Sequence, residues 1–352
     1  MVIVGIDAHK RSHTLVSVDE TGCELGPKTV TATSDGHLEA LEWARRWPER
    51  TFVVEDCRHV TRQLESDLLR AGEAVLRVPT RLMADARRGG RQRGKSDPID
   101  ALAVARAALR EPDLPVARLD GEARQLRLLT DHRDDLVAER TRIQSRLRWH
   151  LHELFPDLEI PARSLRRQHI LASLEDRLQG IEGTLAEICR EMLLRCRELT
   201  LRANELERQI GAIVRVLAPS LLEVPGCGVL SAAKIVGEVA GAHRFRSRAA
   251  FASWNGTAPL PVWSGNTTRH RLNRGGNRQV NAALHRIAVT QCHGDGAGHA
   301  YAARRIAAGN TKTEALRLLR RSISDEVYRR LLTDENAADK AATRGLPDEA
   351  AA

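Results

Sequence analysis

The sequence predicts an α/β N-terminal domain, a helical coiled-coil middle and a mainly α-helical C-terminal domain. Three observations carry that prediction. Strand-like and helix-like patterns alternate through the first third of the chain. Apolar residues then recur at 4–3 spacing from Leu174 to Leu217. From Pro219 onward the pattern returns to short segments punctuated by glycine and proline. The expected domains are residues 1–112, 113–218 and 219–331, with 332–352 as a disordered tail. At 352 residues the chain exceeds one typical core, which fits several domains.

The first domain reads element by element. VIVGIDAH and HTLVSVDE look like a strand pair, with a turn signal at Thr21-Gly22 after the second. SDGHLEALEWARRW follows as a helix capped by Ser34 or Asp35. TFVVEDC is a short apolar run suited to a strand buried on both faces. A helix through Leu64, Leu68 and Leu69 leads to the strand EAVLRVP. After the basic loop GGRQRGKS comes the helix DPIDALAVARAALR. Asp97 is its expected cap, and Pro98 lies in the first turn, where a missing N–H costs nothing.

In the middle, residues 174, 178, 181, 185, 188 and 192, and then 199, 203, 206, 210, 213 and 217, are apolar with charges between them. This is the heptad signature of a coiled coil. An antecedent helix runs through 129–154 and is broken by Pro156 and Pro161. The segment reads as a long helical hairpin or spacer. Heptads do not specify which chain supplies the partner, so a dimer contact and an internal helix pair both fit.

The C-terminal domain opens with VPGCGVLSAAKIVGEV. Its Gly226-x-Gly228 turn is that of a helix-hairpin-helix, which offers backbone N–H groups to a nucleic-acid phosphate. A loop with Pro259, Pro261 and Gly265 follows, then a basic strip and another helix. The last twenty or so residues are polar and alanine-rich, the composition of a disordered tail.

Lys and Arg exceed Asp and Glu by 55 to 46, a formal net charge of +9, and arginine dominates. Its planar fork suits phosphates and base edges, so a nucleic-acid partner is the natural expectation, beside the plainer one of a solvated basic surface. The cysteines are scattered without a CxxC or a short Cys/His run, which offers no zinc or disulfide framework. No run approaches the ~20 apolar residues of a membrane span, and a cytoplasmic, nucleoid-associated protein is expected.

Four carboxylates point to chemistry. Asp7 closes the first strand, Glu55 closes a later one, and Asp97 and Asp100 sit three apart on one face of a helix start. Taken singly, each is also an ordinary cap or strand-end residue. Taken together, they make an oxygen-rich site for hard cations such as Mg²⁺, two of which can serve phosphodiester exchange.

GIDAHK, VVEDC and GKSDPIDA resemble the DEDD-type transposases of the insertion-sequence one-ten family, which includes the Piv-like invertases and the bridge-RNA-guided recombinases. VPGCGVLSAAKIVGEV, FASWNGTAP, SGNTTRHRLNRGGNRQVNAAL and YAARRIAAGNTKTEALRLLRR extend the resemblance over almost the whole chain. It implies a RuvC-like, ribonuclease-H-fold N-terminal domain and a C-terminal transposase domain. It also implies a metal tetrad at Asp7, Glu55, Asp97 and Asp100, binding Mg²⁺ with Mn²⁺ as a substitute. A serine nucleophile that links covalently to DNA falls on Ser264, with Ser253 and Ser247 as alternatives; no general base is assignable, and His270 reads as a phosphate or solvent contact. The partners it implies are DNA at the element ends and target, a structured non-coding guide RNA, and a homodimer assembling to a tetramer. Arg269, Arg271, Arg274 and Arg278 around the Gly275-Gly276 turn are the expected phosphate clamp, with Arg91, Arg93 and Lys95 in the basic loop as a second. Two other readings compete: a metal-only nuclease like the Holliday-junction resolvases, and a non-catalytic transposase remnant that only binds DNA.

Overall fold

A computed structural model describes residues 1–56, 58–79, 82–83, 96–111, 114–117, 121–264 and 267–344. The chain divides into two compact units. One comprises Met1–Asp120 with His243–Ser247, the other Gly121–Ala242 with Arg248–Ala352. No helix among the described residues is long and apolar enough to cross a membrane.

The first unit is α/β. Strands β1 (Val2–Ala8), β2 (Ser12–Val18), β3 (Glu24–Thr31), β4 (Arg50–Glu55) and β5 (Val75–Val78) form one sheet in the order β3-β2-β1-β4-β5. β1, β2 and β3 pair antiparallel, whereas β4 and β5 join parallel to β1. Helices α1 (Ser34–Ala44) and α2 (Arg58–Arg70) cover one face and α3 (Asp97–Arg110) the other. The strand period of two sorts the side chains: Val4, Ile6, Phe52 and Val54 join the core under α1 and α2, while Ile3 and Val53 join the core under α3.

Three local expectations are corrected. β3 lies where no strand was expected, because Gly26 and Pro27 disguise it; an edge strand tolerates both, since its outer N–H groups need no ladder partner. α1 is capped by Thr33 rather than Ser34 or Asp35, its hydroxyl accepting from Gly36 N. α3 starts after Ser96, which takes the extended cap conformation, so Asp97 is its first helical residue and not the cap.

Buried at the β2–α1 contact, His13 and His37 stack at 5.2 Å between ring centroids. His37 Nδ1 is 2.6 Å from Asp67 Oδ2, whereas His13 Nδ1 has no hydrogen-bond partner. Burial, with His37 and His9 nearby, lowers the His13 pKa to about 4. A histidine pKa that falls on folding means the unfolded chain binds the proton more tightly. Its contribution is intact above pH ~6.5 and is lost as pH falls toward 4, by up to ~3 kcal/mol. Asp7, described below, gives an opposite slope in part of this range. The expected result is therefore read as a difference: His13→Phe should lose less stability than the wild type between pH 7 and 4 in urea unfolding, and parallel curves would remove His13 from the acid response.

The second unit is helical apart from one hairpin. α4 (Glu122–Leu154) and α6 (Thr184–Leu217) run antiparallel, with α5 (Gln168–Leu178) between them in sequence. Arg133 pairs with Glu207 and Arg195 with Glu139, so rising numbers on one helix meet falling numbers on the other. The heptad run is thus an internal helical hairpin, and it is not continuous. Gly180 and Gly183, both at positive φ, separate α5 from α6 and reset the phase. In the first half of α6 the buried seam is Ala186, Cys189, Leu193 and Cys196, one residue away from the expected 185, 188 and 192. Three of these four residues are small, a signal that counting only large apolar residues misses.

Beyond this pair come α7 (Pro219–Leu222), α8 (Val229–Val239), α9 (Arg248–Trp254), the hairpin of β6 (Leu260–Ser264) and β7 (Thr267–Arg271), α10 (Arg278–His293), α11 (Ala297–Ala307) and α12 (Lys312–Arg344). Buried Lys234 on α8 pairs with Asp131 and Asp134 of α4 at 2.9 and 2.8 Å. The tail expected to be disordered from 332 continues instead as α12 through Arg344. Buried Leu331 and Asp334 explain this, the carboxylate of Asp334 accepting from Ser220 N and Oγ.

Candidate active site

Strand alternation positions the first two carboxylates. Asp7 and Glu55 each follow the paired residues Ile6 and Val54 at the carboxyl ends of neighbouring parallel strands. Two positions after Gly5 and Val53, they continue the face covered by α3. The carboxyl ends of parallel strands are where open α/β sheets gather their ligands. Gly5 makes the approach of α3 possible, since a Cβ there would lie 2.3 Å from Ala101 O and 2.5 Å from Ala105 N. One turn earlier on the same helix stand Asp97 and Asp100, within reach of the positive end of its dipole.

Asp100, Asp97 and Glu55 all act electrostatically on Asp7, and of the three only Asp97 comes within ligand-sharing distance of it. Burial above all, opposed by His9 and helped by Asp100, Asp97 and Glu55, raises the Asp7 pKa to about 6. The side chain is 14% exposed, and Oδ2 makes no hydrogen bond, with His9 Nδ1 at 3.7 Å. Donor atoms of Asp7, His9 and Asp97 lie within 4.8 Å of one another, close enough to hold one metal ion. A buried carboxylate oxygen without a partner, among further carboxylates, fits a divalent cation. His9 was no candidate from sequence; it lies just past the end of β1, in the turn that leads to β2.

The C-terminal candidates divide. Ser264 ends β6 opposite Thr267, in a strand hairpin where the sequence suggested a loop. The side chains of Ser264 and Arg269 lie outside the described residues, as do Arg91, Arg93 and Lys95 entirely. Arg271 is exposed at the end of β7. Gly226 takes φ +77, and a Cβ there would come within 3.0 Å of Thr290 Cβ on α10, so the fold itself demands this glycine. Gly228 caps α8 in an extended conformation with open space around it. Arg274 and Arg278 line a cavity of about 430 Å³ together with Arg317, Arg320, His285 and Asn281. The last four escaped the sequence reading because they sit on two helices in motifs that carry no positional signal for a shared pocket.

Comparison with known proteins bears on this arrangement. A family described as "Transposase" matches residues 4–156, and one described as "Transposase IS116/IS110/IS902 family" matches residues 218–303. The Streptomyces clavuligerus "Insertion element IS116 uncharacterized 44.8 kDa protein" is 35% identical over 157 residues, 44% of this chain and 39% of that protein. The Streptomyces coelicolor "Insertion element IS110 uncharacterized 43.6 kDa protein" is 38% identical over 122 residues, 34% and 30% of the two chains. The Mycobacterium paratuberculosis "Insertion element IS900 uncharacterized 42 kDa protein" is 32% identical over 145 residues, 40% and 36%. Each match thus spans well under half the length of its relative. Among solved structures, "T. thermophilus RuvC in complex with Holliday junction substrate" aligns at 17% identity and a TM-score of 0.27 over 33% of this chain and 99% of that one. With one matched segment over the carboxylate site and another over the C-terminal motifs, the chain belongs to the DEDD-type transposases of the IS110 family.

Proposed function

We propose that this chain is an insertion-sequence transposase that cuts and rejoins DNA through Ser264, assisted by a divalent cation at Asp7, Glu55, Asp97 and Asp100, and guided by a structured non-coding RNA. The observation that carries the reading is the buried Oδ2 of Asp7, which makes no hydrogen bond, close to His9 and Asp97 and in the field of Asp100 and Glu55. His9 is added to the set as a nitrogen donor. The bound Mg²⁺ or Mn²⁺ would supply Lewis-acid stabilisation of charge on the phosphate and its departing oxygen.

The chain's own residues do the rest. Asp7 and Glu55, fixed on adjacent strands, and Asp97 and Asp100, fixed on one helix turn, hold their charges without a reorganisation cost at the moment of reaction. Ser264 Oγ attacks the scissile phosphorus, its proton is removed, and one bridging P–O bond breaks. The strand then carries a free hydroxyl, and its other end is held as a phosphoserine ester. Attack by a second strand's hydroxyl on that ester restores Ser264 and completes rejoining, so no net phosphodiester energy is lost. The guide RNA and a dimer assembling to a tetramer follow from the resemblance, and the excess of arginine supports a polyanionic partner.

Covalent trapping tests the proposal. Labelled element-end and target DNA, incubated with the co-purified ribonucleoprotein and Mg²⁺, should give a denaturation-resistant protein–DNA adduct. Ser264→Ala and Asp100→Ala should each abolish it with DNA binding retained. Cut DNA without an adduct, indifferent to Ser264→Ala, would replace the serine mechanism with metal-only hydrolysis. Binding without any strand break would leave a DNA-binding remnant.

A further inference from the structure

The cavity in the second unit is built from segments far apart in sequence. Gly256 and Gly276 cross backbone to backbone, and a Cβ on Gly276 would lie 2.2 Å from Gly256 N. This crossing lays the Asn273–Arg278 turn against α10 and α12. Asn277 then caps α10 through Val280 N and donates to Glu238 Oε2 at 2.8 Å. Around the resulting cavity stand Arg274, Arg278, Arg317 and Arg320, with no carboxylate among the lining residues. None of the four arginines forms an ion pair among the described residues. Glu314, one turn from Arg317, feels its charge but spends its hydrogen bonds on Thr311 N and Oγ1 in the capping box of α12.

Arg320 is the most confined of the four. Its Nη1 donates to Asn281 Oδ1 at 3.2 Å, while its Nε is buried without a hydrogen bond. Burial and the neighbouring Arg317 both lower its pKa, and His285 is held toward its neutral form by burial and by Arg320. Arg320, half-buried with an unused donor, and three exposed guanidiniums beside it that form no ion pair among the described residues together offer a site for an anion.

The volume narrows the anion's identity. About 430 Å³ falls within the ~300–1,000 Å³ of small-ligand sites, more than a lone phosphate group needs and enough for a nucleotide. Leu272, Leu316 and Ala282 give the cavity an apolar wall. The two carboxamides are occupied by the fold: Asn281 bridges Asn255 O and Arg320, and Asn273 bridges Ser253 O and Gly275 N. Groups that would read a base edge are therefore scarce, whereas guanidinium planes and an aliphatic wall accept any base by stacking.

We infer that this cavity binds one nucleotide of a single nucleic-acid strand without sequence preference, Arg274, Arg278, Arg317 and Arg320 holding its phosphate and Leu272 and Leu316 flanking its base. The inference rests on the reading of nucleic acid as the partner and is separable from the cutting chemistry. Arg317 and Arg320, forty residues beyond the expected clamp, become phosphate contacts in their own right.

Fluorescence anisotropy of the full chain tests it, with labelled 20-nucleotide oligo(dT) and oligo(rU) as probes, in EDTA and across a salt series. Removing metal isolates binding from strand cleavage, so a failed adduct assay and a failed binding assay are told apart. Arg317→Ala with Arg274→Ala should weaken binding at least ~10-fold and lower the slope of log affinity against log salt by about 1.4, two contacts at ~0.7 each. Leu316→Trp, which fills the cavity without changing charge, should weaken binding with little change in slope. Loss confined to oligo(dT) would assign the strand to DNA, and loss confined to oligo(rU) to RNA. Unchanged affinity and slope for both probes, in variants that melt like the wild type, would overturn the inference; Arg274→Ala alone, on an exposed turn, keeps the test available if the double variant does not fold.

Discussion

Asp7→Asn is expected to lower metal-dependent strand cleavage by on the order of 10³-fold while making the metal-free protein more stable. The two effects have one cause. Asp7 is the carboxylate on which burial and three like charges act together, and the asparagine that replaces it keeps the shape and loses the charge. A bound cation contributes several kcal/mol to a developing phosphoryl charge, and each 1.36 kcal/mol is tenfold in rate. Without the cation, the same charge is a liability. The folded pKa of about 6 lies above the ordinary 3.8, so the folded state holds the proton more tightly. The penalty grows as pH rises from about 4 to 6 and is complete above 6, where it reaches up to ~3 kcal/mol. Differential scanning calorimetry in EDTA at pH 7.5 should therefore show a higher Tm for Asp7→Asn than for the wild type. For the same reason, Mn²⁺ affinity of the wild type should climb between pH 4 and 6 and level off above it. A variant that cleaves normally would remove Asp7 from the metal site; one that is inactive but no more stable would mean that the charge is already neutralised within the protein.

Gly5→Ala is expected to destabilise the first unit by at least ~3 kcal/mol, although it adds a single methyl group. The new Cβ would meet Ala101 O at 2.3 Å, Ala105 N at 2.5 Å and Ala105 Cβ at 2.7 Å, two of them backbone atoms that cannot rotate away. Either β1 or α3 must move, and interiors packed at crystal density resist such shifts. Moving α3 also displaces Asp97 and Asp100 from Asp7, so metal binding should fall with stability. Gly228→Ala serves as the control. Its added Cβ meets nothing within 4 Å, and its φ of −78 is open to any residue, so ~1 kcal/mol or less is expected. Urea unfolding of both variants checks the contrast, and a Gly5→Ala protein with the wild-type midpoint would mean that helix and strand are not in this close contact.

The placement of the four carboxylates at strand ends and a helix start was legible in the sequence because each signal is local. An apolar run ending in Asp7 or Glu55 specifies a strand end, and Asp97-Pro98-Ile99-Asp100 specifies a helix start with two acids on one face. His9 was missed because it lies in the turn just past β1 and a histidine beside a lysine carries no ligand pattern of its own. The seam of α6 was read one residue out of phase in its first half, since the buried Ala186, Cys189 and Cys196 are small and a count of large apolar residues passes over them. β3 was hidden by Gly26 and Pro27, which are poor strand formers tolerated at a sheet edge.

Periodicity at two or at three to four residues, together with composition, determined the α/β and helical division, the order of most elements, the four acids and the demand for a polyanionic partner. The tertiary structure decided the rest: the partner of α6, the stacking of His13 on His37, and the meeting of Arg274 and Arg278 with Arg317 and Arg320. Those contacts join residues at least two dozen positions apart. A repeat along the chain states which face of an element is buried, but only packing against a second element states which residue it is buried against.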